Sequence, residues 1–182
     1  TIWLSKADGS GGFDKYYYAN AAPPFVTAGW KNVNTGNTNQ AGAPVYTTDG
    51  LLIERRGSTD LDIVFVGQVK TTATVVPVFP GFNFIENSFP VGSTLGNSGL
   101  ENFLKKGSST TADIVWMPDG AGGYSKFYYA NAAPPFVTAG WKNLNSGNND
   151  RSGDAISSGF IIERRDAAAN MTLSPPPGYS SL

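Results

Sequence analysis

The sequence contains no histidine and no cysteine. Without cysteine the chain has no disulfide bonds, no thiolate nucleophile and no thiolate ligands for zinc. Without histidine it lacks the commonest general base and the commonest transition-metal ligand. Charged residues are also scarce, at 15% against about 25% in typical soluble proteins. These absences leave few routes to catalysis, and we expect no enzymatic activity, no catalytic residue, no cofactor and no metal.

The chain also lacks an excess of positive charge and a long apolar run. Lysine and arginine number 13 against 14 acidic residues, for a net charge of −1. No basic stripe is available to neutralise phosphates, so we expect no nucleic-acid partner. No apolar run approaches the roughly 20 residues of a transmembrane helix, so we expect no membrane span. The chain opens on Thr1 rather than on methionine and a basic segment, which predicts a processed, mature segment.

The residues that are abundant point to a folded β-protein. Aromatic residues make up 13% of the chain, with 22 glycines and 12 prolines, and the polar remainder is mostly Asn, Thr, Ser and Gly. Plentiful apolar and aromatic residues exclude a disordered chain. This composition is typical of extracellular β-proteins and predicts an extracellular or cell-surface location.

An internal repeat dominates the sequence. Residues 17–32 are identical to residues 128–143, an offset of 111, and similarity extends over a first copy at 8–56 and a second at 119–165. The offset falls to 109 at the end of each copy, so the intervening loops differ in length as well as in sequence. Divergent loops are typical of exposed connections, whereas the identical run must satisfy a shared packing or contact. We assign a first module to residues 1–80 and a second module to residues 81–182.

Strand and turn signals fill both copies. Three consecutive aromatic residues, at 16–18 and again at 127–129, precede a Pro-Pro turn that no sheet ladder accommodates. Residues 51–56 and 160–165 are apolar and then charged, which predicts strands that run from the core to an edge. The strongest β-forming stretches are 61–70 and 75–79, whereas residues 100–106 offer two helical turns at most. We predict an all-β fold of antiparallel β-sandwich or jelly-roll-like modules.

The sequence does not supply the two modules with equal numbers of strands. Residues 61–112 lie between the copies and have no full counterpart after the second copy. Whichever copy they complete, the other keeps an open sheet edge, which is a template for pairing with another chain. A strand supplied by the next subunit would be a head-to-tail contact, and its repetition closes a ring or propagates a filament. The alternative is closure of the sheet by a loop or terminus of the same chain.

The repeat motifs resemble those of a known but uncharacterised family. In that family of secreted bacterial proteins, expanded in Verrucomicrobia-type genomes, a Ser-Gly-Leu segment precedes a hydrophobic strand, a Tyr-Tyr-Tyr strand, a Gly-Trp-Lys turn and a closing strand. Here these motifs fall at residues 90–100, 113–116, 127–129, 140–142 and 159–164. The resemblance covers roughly residues 82–179, with a partial copy in 1–57, and the Ala-Asn-Ala-Ala-Pro-Pro-Phe-Val insert departs from it. It implies secretion and an all-β fold, and a weaker likeness links the chain to extracellular fibril or pilus subunits.

The candidate contact residues are apolar and aromatic side chains of both copies. We expect assembly through the N-terminal strand, the tyrosine strands, the segments after the Pro-Pro turns and the tryptophans that follow, namely Ile2, Trp3, Leu4, Tyr17, Phe25, Val26, Trp30, Tyr128, Phe136, Val137 and Trp141. The tyrosines with Trp30 or Trp141 and the neighbouring asparagines are alternatively an aromatic platform for a sugar. A third interpretation places the same residues in the core between two sheets.

The remaining polar motifs have structural explanations. The oxygen-rich loop 145–154 is a possible calcium ligand set without EF-hand spacing. The Glu-Arg-Arg segments at 54–56 and 163–165 are most simply edge charges that discourage wrong pairing, with intersubunit ion pairs as the alternative. The sequence thus predicts a secreted structural subunit that polymerises head to tail with itself by β-strand complementation. The alternative function is a carbohydrate-binding module that binds surface glycans.

Overall fold

The computed structural model describes residues 1–6, 8, 10–46, 48–60, 62–64 and 70–179. Apart from one 3-10 helix at Leu100–Asn102, its regular elements there are β-strands, and every strand pair is antiparallel. The predicted all-β fold is therefore confirmed. The strands are β1 Ile2–Ser5, β2 Phe13–Ala19, β3 Gly29–Asn32, β4 Leu52–Ile53, β5 Thr74–Val78, β6 Gly81–Ile85, β7 Ile114–Pro118, β8 Tyr124–Ala130, β9 Gly140–Asn143, β10 Phe160–Arg164 and β11 Ala169–Leu173.

Both copies of the repeat build the same four-stranded sheet. The first copy has the order β3-β2-β1-β4, and the second has the equivalent order β9-β8-β7-β10. The registers also match, because Tyr17 lies opposite Lys31 and Tyr128 lies opposite Lys142. In each copy a glycine-rich turn joins the first two strands, and the Pro-Pro turn joins the second to the third. The identical run 17–32 therefore encodes most of a hairpin and its connection.

The second module adds a layer that turns its sheet into a sandwich. Strand β6 pairs with β10, which gives a five-stranded sheet of order β6-β10-β7-β8-β9, and β5 pairs with β11 in a separate two-stranded sheet. The side chains of both sheets, with those of the segment 89–104, meet in one core. Its members are Val76, Val78, Ile85, Phe89, Leu95, Leu100, Leu104, Val115, Met117, Phe127, Trp141, Ile156, Phe160, Ile162, Met171, Leu173 and Tyr179.

The segment between the two copies of the repeat contributes its described strands to the second module. Strand β5 precedes the predicted module boundary at residue 80, yet it pairs with β11 and packs in the core of the second module. Most of the strand predicted at 61–70 lies outside the described residues, namely residues 61 and 65–69. Of the rest, residues 62–64 and 70 are exposed and belong to no strand. The first module therefore keeps only its four-stranded sheet among the residues that the structure describes.

Strand β10 is an interior strand, although the sequence predicts an edge. It lies between β6 and β7 because the segment before the second copy supplies β6 as a neighbour. Its charged end is correspondingly buried: Arg164 Nη1 lies 3.1 Å from Asp113 Oδ2, with side-chain exposures of 5% and 0%. The equivalent residue of the first copy, Arg55, is exposed and donates instead to the carbonyl and hydroxyl of Thr59. The arginine of the Glu-Arg-Arg motif is thus part of a buried ion pair in the second copy and an exposed hydrogen-bond donor in the first.

The first sheet is anchored on the free edge of β6. The Gly50 amide donates to the Phe84 carbonyl at 3.1 Å, and the Gly12 amide donates to the Phe82 carbonyl at 3.2 Å. The Phe13 ring stacks on Phe84 at 5.3 Å. A Cβ at Gly50 would lie 2.8 Å from the Ile85 amide nitrogen, so only glycine permits this approach. These contacts cap β6 and hold the first sheet beside the second.

The buried ion pair gives a stability prediction with an internal control. Replacement of Arg164 by Met leaves the buried Asp113 carboxylate without its cation, and we expect a loss of about 3–5 kcal/mol in the free energy of unfolding. Arg55→Met removes an exposed side chain and should cost under about 0.5 kcal/mol. Urea denaturation followed by tryptophan fluorescence measures both variants. Equal effects of the two substitutions would contradict the assignment.

Candidate functional site

The two copies present the same sheet face to different surroundings. In the second copy this face, which we call the inner face, points into the core and carries Val115, Met117, Phe127, Trp141, Phe160 and Ile162. The shared registers identify the residues that correspond to them in the first copy. They are Ile2, Leu4, Tyr16, Trp30, Leu51 and Ile53. The inner face of the first copy is therefore as apolar as a protein core.

The inner face is buried in the second copy and only partly covered in the first, where Leu4 is 7% exposed and Ile2, Tyr16 and Trp30 are half-buried. Ile162 is 0% exposed and Phe160 3%, whereas their counterparts Ile53 and Leu51 are 40% and 39% exposed. The cause is the covering layer of β5, β11 and segment 89–104, which the first copy lacks among the described residues. Leu51 and Ile53, whose counterparts are buried in the second copy, thus remain in contact with water.

A groove marks the open inner face. It has a volume of about 260 Å³. A sheet face on one side and the loop at 40–45 on the other form its walls. Apolar surface of this kind favours a partner, because its burial contributes roughly 25 cal/mol per Å². The lining residues are Ile2, Leu4, Tyr16, Trp30, Gln40, Ala41, Ala43, Val45 and Leu51.

The groove lies beside an open strand edge. Strand β4 is the end strand of its sheet and pairs only with β1, through Ile53 opposite Ile2 and Leu52 opposite Trp3. Its counterpart β10 has β6 on the corresponding side. In the described part of the chain no strand occupies the outer side of β4. The first copy therefore combines an apolar groove with unpaired backbone groups, as strand addition requires.

Each copy also projects a Pro-Pro finger, defined as residues 22–26 and 133–137. The backbone closes on itself: the Ala22 amide donates to the Val26 carbonyl at 2.9 Å, and the Val26 amide donates back to Ala22 at 3.0 Å. The equivalent bonds of the second finger have the same lengths. Both Pro-Pro peptide bonds are cis. At each tip the phenylalanine, Phe25 or Phe136, is 81% exposed.

A buried lysine supports each finger. Lys142 is 1% exposed, and its Nζ donates to Thr138 Oγ1 and to the Asn148 carbonyl, both at 2.9 Å. Asn148 in turn accepts from the Thr138 amide and donates to the Phe136 carbonyl. A buried ammonium group must be hydrogen-bonded, so this arrangement fixes the loop around it. Lys31, with Thr27 and Asn37, repeats the arrangement in the first copy.

Sequence reasoning did not single out these lysines. The available signal was Asn37 and Asn148, which occupy matching positions in the two loops, directly after the matching Gly36 and Gly147.

Nine of the eleven predicted contact residues fall into three groups. Ile2, Leu4 and Trp30 line the groove. Phe25 and Phe136 stand on the fingers, and the half-buried Val26 and Val137 form the finger bases. Tyr17 is exposed and Tyr128 half-buried, on the second strand of each sheet. Strand β1 lies between β2 and β4, so residues 2–5 are not a free strand for another subunit.

Trp3 lies on the outer face of the first sheet. Its indole Nε1 donates to Glu54 Oε2 at 3.2 Å, and Lys15 Nζ stands 3.7 Å above the ring. A hydrogen bond from Arg56, with a smaller contribution from Trp3, lowers the pKa of Glu54. Trp116 makes the equivalent bond to Glu163 in the second copy. This layer recurs in both copies and stabilises each sheet, so it does not distinguish them.

The predicted sugar platform and the predicted calcium loop are less suited to binding. Trp141 is 1% exposed and Asn143 is buried, so neither is accessible to a sugar in the second copy. In loop 145–154 Asp150 accepts hydrogen bonds from Ser152, and Asp154 is paired with Arg151. Among the described residues no group of three metal-binding side chains comes together. Nor does that part of the chain include a helix of the length and apolarity that a membrane span requires.

No protein-family model, no curated protein and no solved structure matches this chain. The resemblance to the secreted bacterial family accordingly stays a prediction.

The buried lysine gives a second prediction. Lys142→Met removes the donor to Thr138 and Asn148, and we expect the second finger to lose about 1–3 kcal/mol of local stability. Hydrogen exchange should then be faster at the amides of Thr138 and Val137. The amides of Thr27 and Val26, in the unaltered finger, serve as the control in the same molecule. Unchanged exchange in the second finger would show that the lysine does not support it.

Proposed function

We propose that the protein is a secreted structural subunit that polymerises head to tail into an extracellular filament by β-strand complementation. The observation that carries this proposal is the unequal covering of two equivalent sheets. Residues such as Ile162 and Phe160 are buried by a second layer, while Ile53 and Leu51 at the same positions are open. The protein itself is the partner, and its role is mechanical rather than enzymatic.

Two physical terms favour an added strand at the first copy. Covering the groove removes apolar surface from water. Pairing with the outer side of β4 satisfies the backbone groups of an end strand. In the second copy these two roles fall to different strands, β6 at the edge of β10 and the β5-β11 sheet over the face.

The geometry of such a contact sets the form of the assembly. The first copy accepts a strand, and a different part of the neighbouring subunit supplies it, so the contact is heterologous. Heterologous contacts close a ring or extend as a filament. Two copies of one four-stranded sheet in tandem within each subunit suit an extended fibre, because the same sheet recurs along the chain.

The fingers provide a second contact surface. Phe25 and Phe136 are largely exposed on loops held by buried lysines, so their burial against a neighbour costs little conformational entropy. Rigid aromatic anchors of this kind dominate many interfaces. A carbohydrate-binding module is the alternative function, but the burial of Trp141 and Asn143 removes half of the aromatic platform on which it depends.

An edge-blocking substitution tests the proposal. The purified protein should form fibres by negative-stain electron microscopy. Ile53→Lys places a charge at the open edge of β4 and should abolish fibres while the melting temperature stays unchanged. Val75→Lys is the matched control, because Val75 is 58% exposed on β5. A monodisperse monomer of the unmodified protein at high concentration would overturn the proposal.

The fingers give a separate prediction. The double variant Phe25→Ser and Phe136→Ser should raise the protein concentration needed for fibre formation at least tenfold, because each subunit loses two aromatic anchors. Pelleting by ultracentrifugation measures that concentration. Val33→Ser changes another exposed apolar residue and controls for surface polarity. An unchanged threshold in the double variant would exclude the fingers from the interface.

A further inference from the structure

Each copy has a loop beside its inner face, at residues 40–45 in the first copy and 151–156 in the second, and the two loops are built alike. The Ala43 amide donates to the Gln40 carbonyl at 3.0 Å, and the equivalent bond of the second copy measures 3.1 Å. The amide of the first residue of each loop donates to the carbonyl of the preceding tryptophan, at 2.9 Å and 3.0 Å. The two loops therefore offer the same backbone groups to a partner.

In the second copy this loop binds an extended segment of the chain, residues 93–96. Leu95 of the segment is fully buried in the same core as Trp141. The backbone of the loop holds the segment in place while its leucine helps to cover the inner face. Three backbone hydrogen bonds join segment and loop, namely Gly96 to Ser152 at 2.8 Å, Leu95 to Asp154 at 3.0 Å and Ile156 to Ser93 at 2.9 Å.

In the first copy the equivalent backbone groups have no partner among the described residues. They are the carbonyls of Ala41 and Ala43 and the amide of Val45. Val45 is 59% exposed, whereas Ile156 at the same position is 3% exposed. The groove of about 260 Å³ lies beside these groups, and Trp30 is part of its wall. An apolar space and a row of unpaired backbone groups thus occupy the place where the second copy holds its segment.

We infer that the groove of the first copy binds an extended segment of a partner protein with the pattern Ser/Thr-Leu-Gly. The leucine enters the groove, and the backbone pairs with loop 40–45 as residues 93–96 pair with loop 151–156. The inference goes beyond the proposed function, because it concerns the groove and not the edge of β4.

The count of such segments identifies the partner as a different chain. The pattern occurs once in this sequence, at residues 94–96. That segment is packed in the core of the second copy. A second copy of the chain that donated it would uncover its own core, so the exchange would bury no additional apolar surface. The occupant is therefore a partner that carries the pattern outside a packed core.

The glycine of the pattern has a steric reason. A Cβ at Gly96 would lie 2.9 Å from Ser152 Cβ and 3.0 Å from the Ser152 carbonyl oxygen. Ala41, at the position of Ser152, has the same two atoms, so a segment bound to the first copy meets the same limit. The residue before the glycine must be apolar, because Ile2 and Leu4 line the groove.

Local bonds within the segment favour its binding as an isolated peptide. The Thr94 hydroxyl accepts from the Asn97 amide at 3.3 Å, and the Asn97 side chain accepts from the Thr94 amide at 2.7 Å. The Ser98 hydroxyl donates to the Leu95 carbonyl at 3.0 Å. Bonds of this kind restrict the segment to its bound form and lower the entropy cost of binding. A peptide of residues 87–100 contains all of them.

A labelled synthetic peptide of residues 87–100 is the probe for the groove. Titration with the purified protein, followed by fluorescence anisotropy, should show saturable binding of one peptide per chain. The peptide variants Leu95→Ala and Gly96→Val should each bind at least tenfold more weakly, because one loses the apolar anchor and the other collides with the loop. Absence of saturable binding, or equal binding of the three peptides, would overturn the inference.

Variants of the protein locate the bound peptide. Leu51→Lys places a charge in the groove wall and should weaken binding at least tenfold, whereas Val75→Lys on β5 should leave binding unchanged. Val45→Pro removes the amide that pairs with the segment, and Val45→Ala keeps it as the matched control. Melting temperatures confirm that each variant is folded, and Leu51→Lys decides the test if Val45→Pro is not. Undiminished binding to folded Leu51→Lys would place the peptide elsewhere and overturn the inference.

A disulfide tests the register. Thr94 and Ala155 lie opposite each other in an isolated antiparallel bridge. The Cα atoms of such a non-hydrogen-bonded pair stand about 4.5 Å apart, within the range of a disulfide. Pro44 occupies the position of Ala155 in the first copy. A Thr94→Cys peptide should therefore form a disulfide with the Pro44→Cys protein at ten times the yield obtained with Val75→Cys, and equal yields would overturn the inference.

The full chain as donor distinguishes a second copy from a separate partner. Protein with Thr94→Cys, mixed with Pro44→Cys protein and oxidised, should give no more dimer than the mixture with Val75→Cys, because its segment is already packed. A dimer at the yield of the peptide would identify a second copy as the occupant and overturn the inference.

The proposed function and the inferred ligand fail in different ways. Fibres of the unmodified protein without peptide binding would reject the ligand and leave filament formation standing. Peptide binding at the groove without fibres would reject the filament and leave the ligand standing.

Discussion

A sheet with one apolar face must bury that face against a second layer, and this requirement governs the whole molecule. The second copy of the repeat meets it within the chain, because β5, β11 and segment 89–104 close over the sheet. The first copy has the same apolar face but only a groove above it. The contrast between the two copies is a comparison within one molecule: sequence and sheet geometry are held nearly constant, and the covering layer differs.

The same difference changes the role of individual residues. The Glu-Arg-Arg motif ends an interior strand in the second copy, where Arg164 must be paired because it is buried. In the first copy the motif ends an end strand, and Arg55 is exposed. The fingers, by contrast, have the same surroundings in both copies. Lys31 and Lys142 are equally buried and Phe25 and Phe136 are equally exposed, because each finger is held by bonds within its own loop.

Much of the fold was predictable from local patterns. The repeat, the antiparallel strands, the glycine-rich turns and the Pro-Pro turns depend on residues close together in the chain, and all of them appear in the structure. The position of β10 was not predictable, because an edge strand and an interior strand differ only in whether a distant segment pairs with them. The burial of Lys142 was not predictable either, since lysine is almost never fully buried.

The sequence by itself determined the duplicated all-β architecture and the scarcity of catalytic groups, because composition and local periodicity are properties of the chain. The tertiary structure decided which copy is complete. That choice depends on β5 pairing with β11 and β6 with β10, across 75–99 residues in the chain. Long-range pairing of this kind follows from the packing of distant apolar faces, which no local motif records.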